Sequence, residues 1–279
     1  HPCYTATGPC ASEVSLVSVL KAVTTIDVTT LATKFIEAAT KLATQFVAQA
    51  TDALVQKEYV WDALKNLDGY IIEKLKDLGK GDRAGVKEGA FVDDNVYLGN
   101  GTTIDHGAVI HGPAIIGDNC EIRAETKFRG SVLVGDRATL GGEFKNCILF
   151  DEVDIPHNCY VGDSIVGYQT NIAAGVVTSP HNFNWTPLIV EIEGEKYETG
   201  MIKFGSIIGD KTTISSNCVL NPASLIGQNT IVYPNISWRG FCPSWRIVKL
   251  MQEQIIVERD SSKQILRDDY LKRKKHLYQ

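Results

Sequence analysis

The stretch Leu98-Gly-Asn-Gly-Thr-Thr-Ile104-Asp-His-Gly-Ala-Val-Ile110-His-Gly-Pro-Ala-Ile-Ile116-Gly-Asp-Asn-Cys-Glu-Ile122 returns to a large aliphatic residue at every sixth position. That spacing matches neither the helical period of about 3.6 nor the alternation of a half-buried strand. The period extends back to Val92 and Val86 and forward through Phe128, Val134 and Leu140. It then slips by two and returns at Ile148, Tyr160, Val166 and Ile172, a phase kept at Ile208, Ile214, Leu220, Ile226 and Val232. A strict six-residue repeat marks a stacked solenoid, in which each short strand fills one side of a coil. Each aliphatic side chain points inward above its equivalent, about 4.7–4.9 Å away in the next coil. Gly or Asp often follows the apolar residue, as at Gly99, Asp105, Gly117, Gly135, Gly209 and Gly227. Both residue types tolerate the positive-φ corners between sides. The expected fold is mainly β, a parallel β-helix.

The flanks read differently. Residues 1–80 form an expected helical region. Asp27 is its candidate N-cap, and Leu31, Phe35, Ala39, Leu42, Phe46 and Ala50 line one helical face. A second stripe, Trp61, Leu64, Leu67, Ile71, Leu75 and Leu78, stops at Gly79. Both stripes suit core or subunit contacts rather than a cofactor site. The solenoid spans 81–243, with an excursion over 179–206 that alternates like a hairpin around Gly194. Excursions of this kind commonly build a solenoid's binding face. A short C-terminal helix is expected over 244–258, followed by a charged tail to 279.

Composition narrows the function classes. The 279 residues carry a net charge of -5 with 44% hydrophobic content, which argues against a nucleic-acid binder. The basic run Lys272-Arg-Lys-Lys275 reads as a solvated helix end. No run of about 18 apolar residues marks a membrane span, and no signal peptide is visible. The seven cysteines form no CxxC pair, so a reduced, cytoplasmic protein with buried thiols and no metal site is expected.

One cluster of side chains exceeds what a solenoid requires. His157 belongs to a residue type that titrates near neutrality and serves as a base toward an amine or hydroxyl. Lys145 lies twelve residues before it and Asn171 fourteen after, so neighbouring coils can bring them to one cleft. Cationic Lys145 and Arg129 suit a phosphate, and Ala173-Ala174-Gly175 is small enough for a ligand to lie against the backbone.

The segments Pro156-His-Asn-Cys-Tyr-Val-Gly-Asp163 and Asn171-Ile-Ala-Ala-Gly175 resemble the left-handed β-helix acyltransferase superfamily. More closely, they resemble the acetyltransferase domain of bifunctional sugar-1-phosphate nucleotidylyltransferase/glucosamine-1-phosphate N-acetyltransferases. The return from the excursion, through Lys203 to Asp210, is similar to the prokaryotic branch of those enzymes. The likeness covers about residues 85–243, and left-handedness comes from it alone. The resemblance implies acetyl-CoA as donor, an amino-sugar phosphate as acceptor, and a homotrimer with sites between subunits. It implies His157 as general base, Arg129, Lys145, Tyr160 and Lys203 as phosphate contacts, and Asn171 beside the amino group. It also implies Ala174 and Ser216 along the acetyl-CoA site, with a backbone N–H near the small-residue run holding the oxyanion.

The chain departs from that pattern in places. No Gly-rich nucleotidylyltransferase loop occurs in residues 1–80, so nucleotide transfer is not expected of this chain. Ala173 replaces a more usual Gly, Ser179-Pro-His-Asn182-Phe stands where the family often has an Asn-containing turn, and Lys127 competes with Arg129 for one role. Two other classes remain open. His106 and His111 have a spacing resembling the zinc ligands of γ-class carbonic anhydrases, although no third histidine lies upstream of them after His1. The alternative is a non-catalytic assembly or sugar-nucleotide-binding module.

Overall fold

A strand of two or three residues cannot stand alone, so each strand here is completed by its equivalents one coil above and below. The computed structural model describes residues 59–258. Parallel strands stack in it as a β-helix of about nine turns with three walls. The first wall begins with Phe91–Val92, Val109–His111 and Lys127–Arg129. The second begins with Val96–Leu98, Ala114–Ile116 and Val132–Val134, and the third with Thr103–Ile104 and Glu121–Ile122. Two long strands, Thr139–Leu149 and Asp154–Val166, then run across the third, first and second walls in turn. The dry interior is the predicted aliphatic ladder, with Leu98, Ile104, Ile110, Ile116, Ile122, Phe128 and Leu140 fully buried.

The slip after Leu140 is a shortened coil. Leu98 pairs with Ile116 and Ile116 with Val134, but Val134 pairs with Leu149 and Leu140 with Ile155. The inward residues that follow are therefore Phe144, Leu149, Ile155 and Val161. Ile148 and Tyr160, expected inside from the period, face outward, because the coil from Val134 to Leu149 advances 15 residues instead of 18 and the loss of an odd number inverts the alternation.

The Gly and Asp repeat also has a different cause from the one expected. Positive φ falls one to two residues later, at Gly101, Asn119, Arg137, Glu152, Gln169 and Lys211. Gly99, Gly117 and Gly135 are needed because a Cβ there would strike the backbone of the next coil. The aspartates act between coils: Asp136 Oδ1 accepts the Asp118 N–H at 2.9 Å, and Asp118 Oδ1 accepts the Asn100 N–H at 2.8 Å.

The second wall is buried on both faces. Tyr97, Ile115, Leu133, Ile148, Ile165, Ile207 and Leu225 form an outer ladder that is covered from two sides. One cover is the helical stripe, with Trp61, Leu64, Leu67 and Ile71 buried on α1 (Asp62–Lys65), α2 (Leu67–Leu78) and their entry. Gly79 ends α2 at φ 68°, its N–H bonded to Leu75 O. The other cover is the predicted hairpin, Ile189–Ile192 against Glu195–Glu198, turning at Glu193 and Gly194 with positive φ. Leu188, Val190 and Ile192 are its buried face.

The helix expected over 244–258 does not form. Ile247–Val248 adds a last strand to the third wall, pairing with Ile231 and Val232, and no regular structure follows up to Glu258. Met251, Ile255, Ile256 and Val257 are exposed, so no apolar face is present to hold a short helix. The stripe over 27–50 and the basic run at 272–275 lie outside the described residues.

Candidate functional site

His157 is presented by a local irregularity. Between the third and first walls its coil has three residues between Ile155 and Cys159, where the coil below has one, Gly141, between Leu140 and Gly142. The surplus residues project outward, and Asn158 turns with φ 22°. Two glycines make room: a Cβ on Gly141 would strike Pro156 O, and one on Gly142 would strike Cys159. The buried Cys159 thiol ties the bulge down, donating to His157 O at 2.8 Å and lying 3.1 Å from Ala173 O. Burial pushes that thiol's pKa up, so it stays protonated and remains a donor. The His157 side chain is exposed.

The same corner carries the predicted coenzyme residues. Asp154 pairs with Asn171 and Tyr160 with Val177, so Ala174 stands one coil above His157. Asn171 pairs with Thr213 and Val177 with Val219, so Ser216 stands one coil higher still. His157, Ala174 and Ser216 thus form one column along an edge of the solenoid. Asn171 leads into that edge, with its Nδ2 donating to Asp154 Oδ2 at 2.9 Å.

The cationic residues gather at the other end of the first wall. Arg129 Nη1 lies 2.7 Å from Glu143 Oε1, and Glu143 is the register partner of both Lys127 and Tyr160. The hydrogen bond and charge of Glu143 raise the Arg129 pKa, so the guanidinium predicted to meet a phosphate is already paired with a carboxylate. Lys145 pairs in register with Gly162, over which the Tyr160 ring and hydroxyl fold. Burial, then the nearby Asp163 carboxylate, push the Tyr160 phenol up while Arg129 opposes them. The phenol is therefore a neutral O–H donor at pH 7. Asp163 is buried, with Oδ1 accepting from Asn146 Nδ2 at 2.8 Å and Oδ2 without a hydrogen-bond partner. The excursion returns to this corner, where Gly205 N–H donates to Asp163 O at 2.8 Å. Lys203, two residues earlier, places Nζ 5.7 Å from the Trp185 ring centroid.

The predicted residues therefore occupy two ends of one wall. His157, Ala174 and Ser216 share one edge with Asn171 leading into it, whereas Arg129, Lys145, Tyr160 and Lys203 belong to the other. Only Tyr160, three residues from His157, spans the gap. Sequence reasoning missed Glu143, Asp163 and Cys159. Glu143 lies in register with Tyr160, a signal visible only with the coil length known, whereas Cys159 lies between His157 and Tyr160 in the sequence itself. Asn182 closes its own loop, bonding Thr186 through both side-chain atoms. His111 lies 3.2 Å from Asp93 Oδ2, and among the described residues no three His, Cys, Asp or Glu side chains converge as metal ligands would. No described helix is long and apolar enough to cross a membrane.

The family model "Bacterial transferase hexapeptide (six repeats)" matches residues 95–130. The chain is 31% identical over 151 residues to the uncharacterized acetyltransferase YaiX of Escherichia coli O6:K15:H31, covering 53% of this chain and 66% of the relative. It is 33% identical over 122 residues to the bifunctional protein GlmU of Methanococcus vannielii, covering 44% of this chain and 28% of the relative. The chain thus spans less than two thirds of the length of these curated relatives. The solved structure of AntD, an N-acyltransferase from Bacillus cereus in complex with dTDP and 3-hydroxybutyryl-CoA, is 17% identical with a TM-score of 0.28, covering 73% of this chain and 96% of that one. Residues 95–130, within the stacked hexads, are thus similar to the bacterial hexapeptide transferases.

Proposed function

We propose that this chain is an N-acetyltransferase that moves an acetyl group from acetyl-CoA to an amino-sugar phosphate such as glucosamine-1-phosphate. The observation that carries the reading is the placement of His157. It stands out from the solenoid below a column of small residues, at one end of a wall whose other end is cationic. An acyl thioester lying along Ala174 and Ser216 brings its carbonyl to His157. A sugar lying along the first wall directs its amine to the same point and its phosphate to Lys145, Tyr160 and Arg129.

The amine attacks the thioester carbonyl while His157 Nε2 or Nδ1 takes the amine proton. The C–S bond of the tetrahedral adduct breaks, the amide forms, and the thiolate leaves as free CoA after protonation. A backbone N–H of the small-residue run stabilises the oxyanion, and Asn171 orients the amine. Trimeric assembly, with each site completed by a neighbour, and a cytoplasmic location are part of the same proposal. The relatives named acetyltransferase and GlmU support it. Thiol release is the test: purified protein with acetyl-CoA and glucosamine-1-phosphate should liberate CoA. No release across a panel of amino-sugar phosphates and nucleotide-linked amino sugars overturns the reading.

A further inference from the structure

The two covers of the second wall meet each other as well as the solenoid. Tyr59 and Trp61 precede α1, and their rings stack with centroids 4.8 Å apart and planes 9° apart. Tyr59 also meets Tyr197 of the hairpin edge-on at 5.9 Å. Trp61 meets Phe204, where the excursion rejoins the coil, at 6.1 Å. A cover that only sealed apolar surface needs contact with the outer ladder alone. This one also grips the returning excursion on both sides of Lys203.

Lys203 depends on that grip. Ile202 and Lys203 are exposed, while Met201 before them and Phe204 after them are buried. Backbone bonds fix both neighbours, with Leu188 N–H donating to Met201 O at 2.8 Å and Phe204 N–H to Pro180 O at 2.7 Å. Trp61, Met201 and Phe204 belong to one apolar cluster. The exposed lysine thus takes its position from the packed side chains on either side of it, and the N-terminal segment supplies the ring against one of them. Trp61 is 1% exposed and its indole N–H has no hydrogen-bond partner, so the ring is held by shape and apolar contact. We propose that Trp61 is a positioning residue for the acceptor: through Phe204 it sets where Lys203 meets the acceptor's phosphate. This rests on the proposed acetyl-transfer reading and gives the helical cover a part in it.

The test is a double-mutant cycle on the KM for glucosamine-1-phosphate, run on the full chain. Trp61→Ala should raise that KM about tenfold or more, the scale of one charged hydrogen bond, and raise it more than it lowers kcat. In a Lys203→Met background the same substitution should add less than about twofold, because its route to the substrate is gone. Trp61→Phe, which keeps a ring against Phe204, should recover most of the loss. Hydrogen exchange is the second readout. In Trp61→Ala the Phe204 and Gly205 amides should exchange faster, while Gly117 and Gly135, bonded between coils of the solenoid, keep their protection. If Trp61→Ala loses protection throughout, Tyr59→Ala, which leaves the buried indole in place, takes its part in the cycle. Equal KM effects with and without Lys203, no recovery in Trp61→Phe, or unchanged exchange at Phe204 and Gly205 overturns the role of Trp61 alone. Absence of CoA release from the wild-type chain overturns the acetyl-transfer reading, and this role with it, so the two failures are read apart.

Discussion

The first and second walls share one interior and differ outside it. Both contribute aliphatic residues to the same core ladder, yet the outward positions of the second are Tyr97, Ile115, Leu133, Ile148, Ile165, Ile207 and Leu225. The corresponding positions of the first include Lys127, Glu143, Tyr160, Val177 and Val219. The second wall is sealed by helices and hairpin; among the described residues the first keeps its outer face open. Inward residues make the fold, and outward residues decide whether a wall is a packing surface or a reaction surface.

His157→Ala tests the proposed reaction surface most severely. Removing the proposed general base is expected to lower kcat by about 10²–10⁴-fold, with circular dichroism and oligomeric state unchanged. A variant of near wild-type kcat would remove His157 from its role. On the sealed wall, Ile148→Ala should cost about 2–5 kcal/mol of unfolding free energy, the range for a buried aliphatic truncation. Val219→Ala, at an exposed outward position of the open wall, should stay within about 0.5 kcal/mol. Equal losses in a denaturant titration would erase the contrast between the walls.

Lys145→Met should raise KM for the acceptor about tenfold or more with little change in kcat, since a charged hydrogen bond contributes about 1.5–3 kcal/mol. A pure kcat effect would move Lys145 from binding to chemistry. The smallest effect belongs to the solvent-facing corner between the second and third walls. Glu152 accepts from Gln169 and pairs with Arg137 at 2.8 Å, and these contacts lower its pKa, the Gln169 bond first. A lowered carboxylate pKa stabilises the fold above the unfolded value, about 4.3 for Glu. That contribution is lost as pH falls through the lower folded value. Glu152→Gln should therefore flatten a small part of the fall in Tm below about pH 4; an unchanged slope would show the pair to be idle.

Much of this was legible in the residues. The six-residue period from Val86 to Leu140, the stop at Gly79 and the hairpin around Gly194 each follow from local rules, and the structure repeats them. Tyr160 was named as a site residue and, by the period, also counted as an inward one. The shortened coil resolves that conflict in favour of the surface. Glu143 went unseen because its role depends on Arg129, fourteen positions earlier, becoming its neighbour. The helix expected over 244–258 failed because a helical pattern there competes with a solenoid edge already offering backbone partners to Ile247 and Val248.

By itself the sequence determined the repeat, and with it the walls, the core and the place where the chain leaves the coil. A period of six buries every aliphatic residue and pairs every strand only when the coils stack as a solenoid. Tertiary structure alone decided coil lengths and the contacts between coils: the bulge under His157, the Arg129–Glu143 pair and the sealed second wall. Those features depend on which residues lie 14 to 18 positions apart, and a shift of one residue turns an outward side chain inward. The run from Ile155 to Thr178 shows both. Its composition marked it as a candidate site, and its register set Tyr160 outward and His157, Ala174 and Asn171 toward one edge.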